Sequence, residues 1–437
     1  MKNPIVHVIG AGLAGVEASY QLAKRGIHVK LYEMKKNKKS PAHKSENFAE
    51  LVCSNSFRSN SLQNAAGVLK EELRILDSLV IQCADEFQVP AGSALAVDRD
   101  LFSEALTKLI RNNPMIEVIE EEVTVLPEGN VIVATGPLTS DSLFNYIKQI
   151  TEEDELFFFD AAAPIIEFES IDMTKAYFKS RYDKGEATYI NCPMTKQEYD
   201  LWYEELIKAN CVVPKDFELK VFEGCMPFEE IARRGYQTLL FGPMKPVGLR
   251  KPDGSRPYAV VQLRQDNATA SLYNIVGFQT HLTFSEQLRI IRLIPGLENA
   301  NIVRYGVMHR NTYINAPKIL NEYYQTKKYP QIFFAGQLSG VEGYVESVGS
   351  AMVASINMAN MIHNKPFISF PVETALGSQA HYLATADPAF FQPMNANFGL
   401  FPALTQQHFK KQRKDLMAQR SLDSLKKMME EQSIEKR

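Results

Sequence analysis

Two of the five cysteines sit where sulfur chemistry is plausible on residue types alone. Cys53 lies in Phe48-Ala-Glu50-Leu-Val-Cys53-Ser-Asn55-Ser-Phe-Arg58-Ser-Asn60, a polar stretch of loop and cap formers directly after an apolar run. Positive charge beside a thiol favours the thiolate, so Arg58 makes Cys53 either a nucleophile of lowered pKa or a small apolar side chain under a loop. Cys225 lies in Phe222-Glu223-Gly224-Cys225-Met-Pro227-Phe-Glu229-Glu230. Carboxylates raise a thiol pKa, which suits a proton carrier better than a standing nucleophile. A packed loop cysteine is the alternative there too. Cys83, Cys192 and Cys211 read as structural. No CxxC occurs, which excludes local zinc and redox signatures, and no metal site is expected.

A different chemistry opens the chain. The β-rich run Ile5 to Ile9 leads into Gly10-Ala11-Gly12-Leu13-Ala14-Gly15, then into a helical pattern ending at Gly26, then into a second apolar run closed by Glu33. In this strand–turn–helix–strand unit, Gly10 permits a tight turn and Gly12 a close approach of backbone to pyrophosphate. Gly15 lets the helix pack near the strand, and Glu33 can accept hydrogen bonds from a ribose diol. The helix N-terminus offers N–H groups to the phosphates. The unit predicts dinucleotide binding.

Two later strand ends have the same character: Val131-Ile-Val-Ala-Thr-Gly136 and Ile332-Phe-Phe-Ala-Gly336. The run that follows the second, Gln337 to Ser347, carries Gly340, Gly343, Tyr344 and Glu346, and such glycines let backbone approach a planar ligand while Tyr344 offers a stacking face. His281 and His309 sit in segments rich in rings and charge, each readable as a packed histidine or a site residue. Basic runs at Lys35 to Lys39 and Lys410 to Lys414 read as solvated faces or an RNA-facing surface.

These groups need a scaffold. The chain has 437 residues, is 45% hydrophobic and 23% charged, and carries a net charge of −3, which excludes disordered and disulfide-scaffold classes and gives no global nucleic-acid signature. No apolar run is long enough to span a membrane, and the N-terminus lacks a secretory pattern, so a cytoplasmic protein is expected. The middle, with short β-rich runs and Pro/Gly turns, reads as an insertion. The expected fold is α/β: a Rossmann-like dinucleotide-binding domain from residues 1–156 and 301–437, the latter ending in a helix, interrupted by a mixed α+β insertion domain over residues 157–300; the resemblance that follows implies that the dinucleotide is FAD.

Long ordered blocks then carry a resemblance. GAGLAG at Gly10, LVCSNSFRS around Cys53, FDAAAPI from Phe159, KSRYDKGEATYINCPM from Lys179, EGCMP at Cys225, GPMKPVGL from Gly242, YNIVGFQTHL to Leu282, RYGVMHRNTYI from Arg304, AGQLSGVEGYVES from Ala335 and PMNANFG from Pro393 resemble the TrmFO family. These are the folate- and FAD-dependent tRNA (uracil-5-)-methyltransferases, and the likeness runs essentially end to end. It implies FAD as cofactor, 5,10-methylenetetrahydrofolate as carbon donor, NADH or NADPH as reductant, and 5-methyluridine in the T-loop of tRNA as product. It implies Cys53 as nucleophile and Cys225 as C5 proton acceptor, in roles that could be exchanged, because uracil C5 reacts only after a soft nucleophile adds to C6. It implies folate held at His281 and Tyr344, and FAD held by the glycine turn, Glu33, Gly136, Gly336, Gln337, Gly343 and Glu346. Ala351 and Ser355 stand where the family usually has glycine, so a weakened flavin contact is expected there. A paralogous branch with the same chemistry on 23S rRNA resembles the chain as well. The rivals are a small-molecule flavin oxidoreductase, which leaves the two thiols unexplained, and a flavin- or RNA-binding protein without turnover.

Overall fold

The computed structural model describes residues 4–40, 42–154, 156–183, 185–212, 226–405, 407 and 409–432. Cys225 therefore lies outside the described residues.

The N-terminal unit folds as its pattern dictates. Ile5–Ile9 and His28–Tyr32 are parallel strands joined by the helix Leu13–Lys24. Gly26 takes a φ of +77°, the left-handed conformation that lets its N–H and that of Ile27 return to the last carbonyls of that helix. The five-stranded sheet runs Ile332–Phe334, Asn130–Val133, Ile5–Ile9, His28–Tyr32, Ile116–Ile119, with every pair parallel. A sheet covered on both faces reads as unbroken apolar runs, as Val6, Val8, Val131 to Val133 and Phe333 to Phe334 show; all are buried. The first strand has later strands on both sides, so a crevice opens at the carboxyl ends of Ile9 and Val133, where such sheets bind ligands. The long helix Tyr344–Ile362 packs across Leu13–Lys24 and is buried through most of its length.

A second sheet is wholly antiparallel: Tyr177–Phe178, Ile190–Met194, Ala259–Gln265, Leu272–Ile275, Ile165–Glu167, Ile302–Arg304. Its last strand lies just past the expected boundary at 300. Its core is aromatic: Trp202, Tyr199, Phe228 and Phe278 are buried, and the Trp202 indole donates to the Ile290 carbonyl at 3.1 Å. A two-stranded antiparallel ribbon, Leu156–Ala161 with Met308–Tyr313, carries the chain out to this unit and back. A small antiparallel sheet of Ser56–Ser59, Ala94–Val97 and Gln88–Val89 follows Cys53. Among the described residues, no helix is long and apolar enough to cross a membrane.

Candidate active site

The glycine turn is built by close contact. Gly10 has a φ of +97°, and a Cβ there would lie 2.8 Å from the carbonyl oxygen of Ala134. A Cβ on Gly15 would lie 1.7 Å from the carbonyl oxygen of Gly10, so only glycine lets the helix start this near the strand. Gly12 differs, since a Cβ there would meet nothing within 4 Å. That open space lies over the start of the helix Leu13–Lys24, where no side chain caps the first N–H groups. Ala11 lies buried beneath the turn, and its N–H donates to one oxygen of Glu33 at 2.8 Å. The N–H of Lys35 donates to the other oxygen at 2.9 Å. Both bonds fix the carboxylate at the strand end and leave lone pairs for a ribose diol.

Around this turn lies a cleft of about 1060 Å³, open to solvent. Gly10, Gly12, Leu13, Ala14, Glu33, Gly136, Gly336, Gln337 and Tyr344 line it. Uncapped helix N–H groups, a bare glycine face and a fixed acidic residue are the donor and acceptor set an FAD pyrophosphate and ribose require, so these residues fit that group. Gly343 and Glu346 are placed elsewhere, and neither lines the cleft. Glu346 is fully buried and pairs with the Arg58 guanidinium at 2.7 Å, while its other oxygen accepts the Ala396 N–H at 2.8 Å. A Cβ on Gly343 would collide with both members of that ion pair.

Cys53 belongs to a turn at the edge of the same cleft, because its neighbours Glu50 and Val52 line it. The N–H groups of Cys53 and Ser54 donate to the Tyr344 hydroxyl at 3.0 and 3.2 Å. Burial pushes that phenol well above its usual pKa, so it stays protonated. The Cys53 sulfur lies 3.9 Å from the Ala161 carbonyl oxygen, on the ribbon between the two domains. Sequence proximity suggested Arg58 as the thiol's cation. The structure turns Arg58 towards Glu346 and supplies arginines from distant positions instead. Arg99 donates to the carbonyls of Leu51 and Cys53, the latter at 3.3 Å, and Arg304 to that of Val52 at 2.8 Å. Arg264 donates to the Ser54 hydroxyl at 2.7 Å and to Asn55 Oδ1 at 3.2 Å. Beneath the turn, buried Lys70 donates to the carbonyls of Phe57, Ser59 and Ala66, and burial lowers its pKa to about 7.

A relative from Listeria monocytogenes serotype 4b, "methylenetetrahydrofolate--tRNA-(uracil-5-)-methyltransferase TrmFO", is 58% identical over 429 residues, covering 98% of this chain and 99% of its own. One of the same name from Bacillus subtilis strain 168 is 59% identical over 428 residues, covering 97% and 98%. The chain belongs to the TrmFO family. A family model described as "Glucose inhibited division protein A" also matches residues 5–366. The crystal structure of Aquifex aeolicus GidA (form II) superposes with a TM-score of 0.70 at 17% identity, covering 98% of this chain and 74% of that one, a likeness of fold.

Ala351 and Ser355 are the positions at which the resemblance leads glycine, and with it a flavin contact, to be expected. Neither residue lines the cleft; both are buried in the body of the helix Tyr344–Ile362, and the Ser355 hydroxyl donates back to the Ala351 carbonyl at 2.6 Å. The helix reaches the cleft only through its first turn, at Tyr344 and Ser347.

His281 is not brought into the cleft. It is 4% exposed in the antiparallel domain, with Nδ1 at 3.2 Å from Glu229 and Nε2 at 3.3 Å from Glu230. Burial holds its pKa below the usual value and raises that of Glu229 to about 7. Cys211, Glu229 and His281 place ligand-type atoms within 4.8 Å of one another. The Arg233 guanidinium, 3.4 Å from the Cys211 sulfur, already supplies a positive charge there. Residue reading missed Arg99, Arg264, Asp266 and Lys70. Their only signal is charge within otherwise apolar element patterns, such as Arg264 in the strand Ala259–Gln265.

Proposed function

We propose that this chain methylates C5 of a uridine in tRNA, taking the carbon from 5,10-methylenetetrahydrofolate, with FAD as bound cofactor and NADH or NADPH as external reductant. The observation that carries the reading is the joint of thiol and cleft: Tyr344 lines the dinucleotide cleft and holds the Cys53 backbone through its hydroxyl. Bound reduced flavin supplies the electron pair that converts a methylene into a methyl group.

The chain's own residues do the rest. The glycine turn and the helix start hold the pyrophosphate, and Glu33 holds the ribose. Uracil must leave its stack to reach the Cys53 turn. The Cys53 thiolate adds to C6, the displaced electron pair moves through C5 to the O4 enolate, and C5 becomes a nucleophile. C5 then bonds to the folate methylene carbon as one of that carbon's two bonds to folate nitrogen breaks. The C5 proton passes to a base, assigned to Cys225, as the second carbon–nitrogen bond breaks and leaves an exocyclic methylene on C5. The hydride equivalent that the reduced cofactor would supply adds to this methylene carbon, and the Cys53 sulfur departs as the C5–C6 double bond reforms. Tyr344 orients the attacking turn and presents its ring to the folate.

The test is reconstitution with unmodified tRNA transcript, methylenetetrahydrofolate, FAD and NADH or NADPH, with nucleosides analysed by mass spectrometry. The expected result is 5-methyluridine that requires every component. A 23S rRNA fragment in parallel reads the target class. FAD-loaded protein that forms no 5-methyluridine on either RNA would overturn the proposal.

A further inference from the structure

The Cys53 turn is held across a domain boundary. Arg99 begins the helix Arg99–Arg111 beside the dinucleotide sheet, whereas Asp266 directly follows the strand Ala259–Gln265 of the antiparallel domain. The pair is bidentate, with Nε at 3.0 Å from Oδ2 and Nη2 at 3.2 Å from Oδ1, and the side chains are only 11% and 4% exposed. The remaining donors of the same guanidinium reach the carbonyls of Leu51 and Cys53. A buried ion pair gives little net stability, because desolvation offsets most of the attraction, so adhesion between domains is a weak reason for it.

The fork geometry supplies a stronger reason. A guanidinium spends parallel donors on one carboxylate and still has donors at fixed angles for two carbonyls, which an ammonium cannot match. Here that shape ties the carbonyls flanking Val52 to an acid of the other domain. We propose that Arg99, anchored by Asp266, is a positioning residue for the reaction: it fixes the Cys53 turn and places a permanent positive charge beside the thiol. The proposal rests on the reading of Cys53 as nucleophile. The described charged and titratable groups around this turn are Arg99 with Asp266, Arg264, Arg304, Tyr344, Lys44 and Glu50 of the turn's own segment, Lys70 beneath it, and the Arg58–Glu346 pair that follows it. Cations outnumber carboxylates among them, which leaves a thiolate as the fitting counter-charge.

The test is the pH dependence of Cys53 alkylation by iodoacetamide in the FAD-loaded enzyme, read by mass spectrometry of the Cys53 peptide, together with turnover. Arg99→Gln removes positive charge and should raise the midpoint by about 1 pH unit. Asp266→Asn removes negative charge and should lower it. Arg99→Lys should keep the midpoint near wild type but cut kcat roughly 10-fold, because charge survives and the fork does not. Simple loosening of the turn cannot move the first two midpoints in opposite directions. Unchanged midpoints, or shifts of the same sign in Arg99→Gln and Asp266→Asn, overturn the proposal. If Arg99→Gln does not accumulate as folded, FAD-binding protein, Asp266→Asn alone decides by the direction of its shift. Unchanged midpoints alongside an inactive Cys53→Ala would sink the clamp and leave the nucleophile standing. Opposite shifts alongside an active Cys53→Ala would sink the nucleophile and leave the charge placement standing.

Discussion

The two ends of the cleft are built by opposite means. At the nucleotide end the cradle is made of backbone N–H groups, bare glycine faces and the fixed Glu33 carboxylate from residues 10–33, with Glu121, Glu122 and the strand end at Ala134 to Gly136 lining the cleft beside it. At the thiol end, one turn at Cys53 is held by side chains from positions 99, 264, 304 and 344, two of them from the antiparallel domain. The first end is set by local backbone shape. The second exists only when both domains are folded and docked. A ligand that needs a cradle can be served by one supersecondary unit. A thiol that must attack at a defined angle needs support from several directions.

Substitutions at the two ends should therefore fail differently. The largest effect is expected from Cys53→Ala: methyl transfer falls by at least roughly 10³-fold, while FAD absorbance and thermal unfolding stay near wild type, since a small, partly buried turn cysteine contributes little packing. Methylation at the wild-type rate would remove Cys53 from the reaction. Next come the paired glycines. Gly15→Ala forces a Cβ against the Gly10 carbonyl and should cost about 1–3 kcal/mol of stability in denaturant unfolding. Gly12→Val places its Cβ where no protein atom lies within 4 Å and should leave apoprotein stability within about 0.5 kcal/mol of wild type while depleting bound FAD. A fully yellow Gly12→Val protein would mean that the open face is not the pyrophosphate seat.

Tyr344→Phe sharpens the contrast from the other end. It removes the acceptor of two N–H groups and should lower kcat about 10–100-fold with FAD content intact, measured by single-turnover methylation and flavin absorbance. Parallel loss of flavin would make Tyr344 part of the cradle instead. The smallest effect concerns Lys70, whose folded pKa of about 7 lies below the unfolded 10.5. Between those values the unfolded chain binds more protons, so this group makes stability rise with pH by at most about 1.4 kcal/mol per unit. Lys70→Met should lose that slope, worth about 1 kcal/mol between pH 7 and 8 in unfolding experiments, and an unchanged slope would place the titration elsewhere.

The same contrast explains what could be read from residues alone. The strand–turn–helix–strand unit, Gly136 and Gly336 follow from local patterns, because an apolar strand run that ends in small residues is visible within a few positions. The short β runs and turns of the middle left a mixed or an antiparallel sheet open, and the sheet is antiparallel. Arg99, Arg264 and Asp266 were not, since nothing near them in the chain says that they meet Cys53. Arg58 misled for the same reason: five residues from Cys53, it turns to Glu346, which lies almost 300 positions away. Glu346 likewise follows a glycine-rich strand end as a cofactor ligand would, yet both of its oxygens are committed to holding Arg58 and the Ala396 segment.

The central claim is that the Cys53 sulfur attacks a pyrimidine at the edge of the dinucleotide cleft, and trapping reads it most directly. FAD-loaded protein is incubated with methylenetetrahydrofolate and a tRNA T-arm bearing 5-fluorouridine, then digested and sequenced by mass spectrometry. The account predicts a covalent RNA adduct on the peptide containing Cys53, absent from Cys53→Ala. An adduct that forms unchanged in Cys53→Ala, or that maps to another residue, would contradict it.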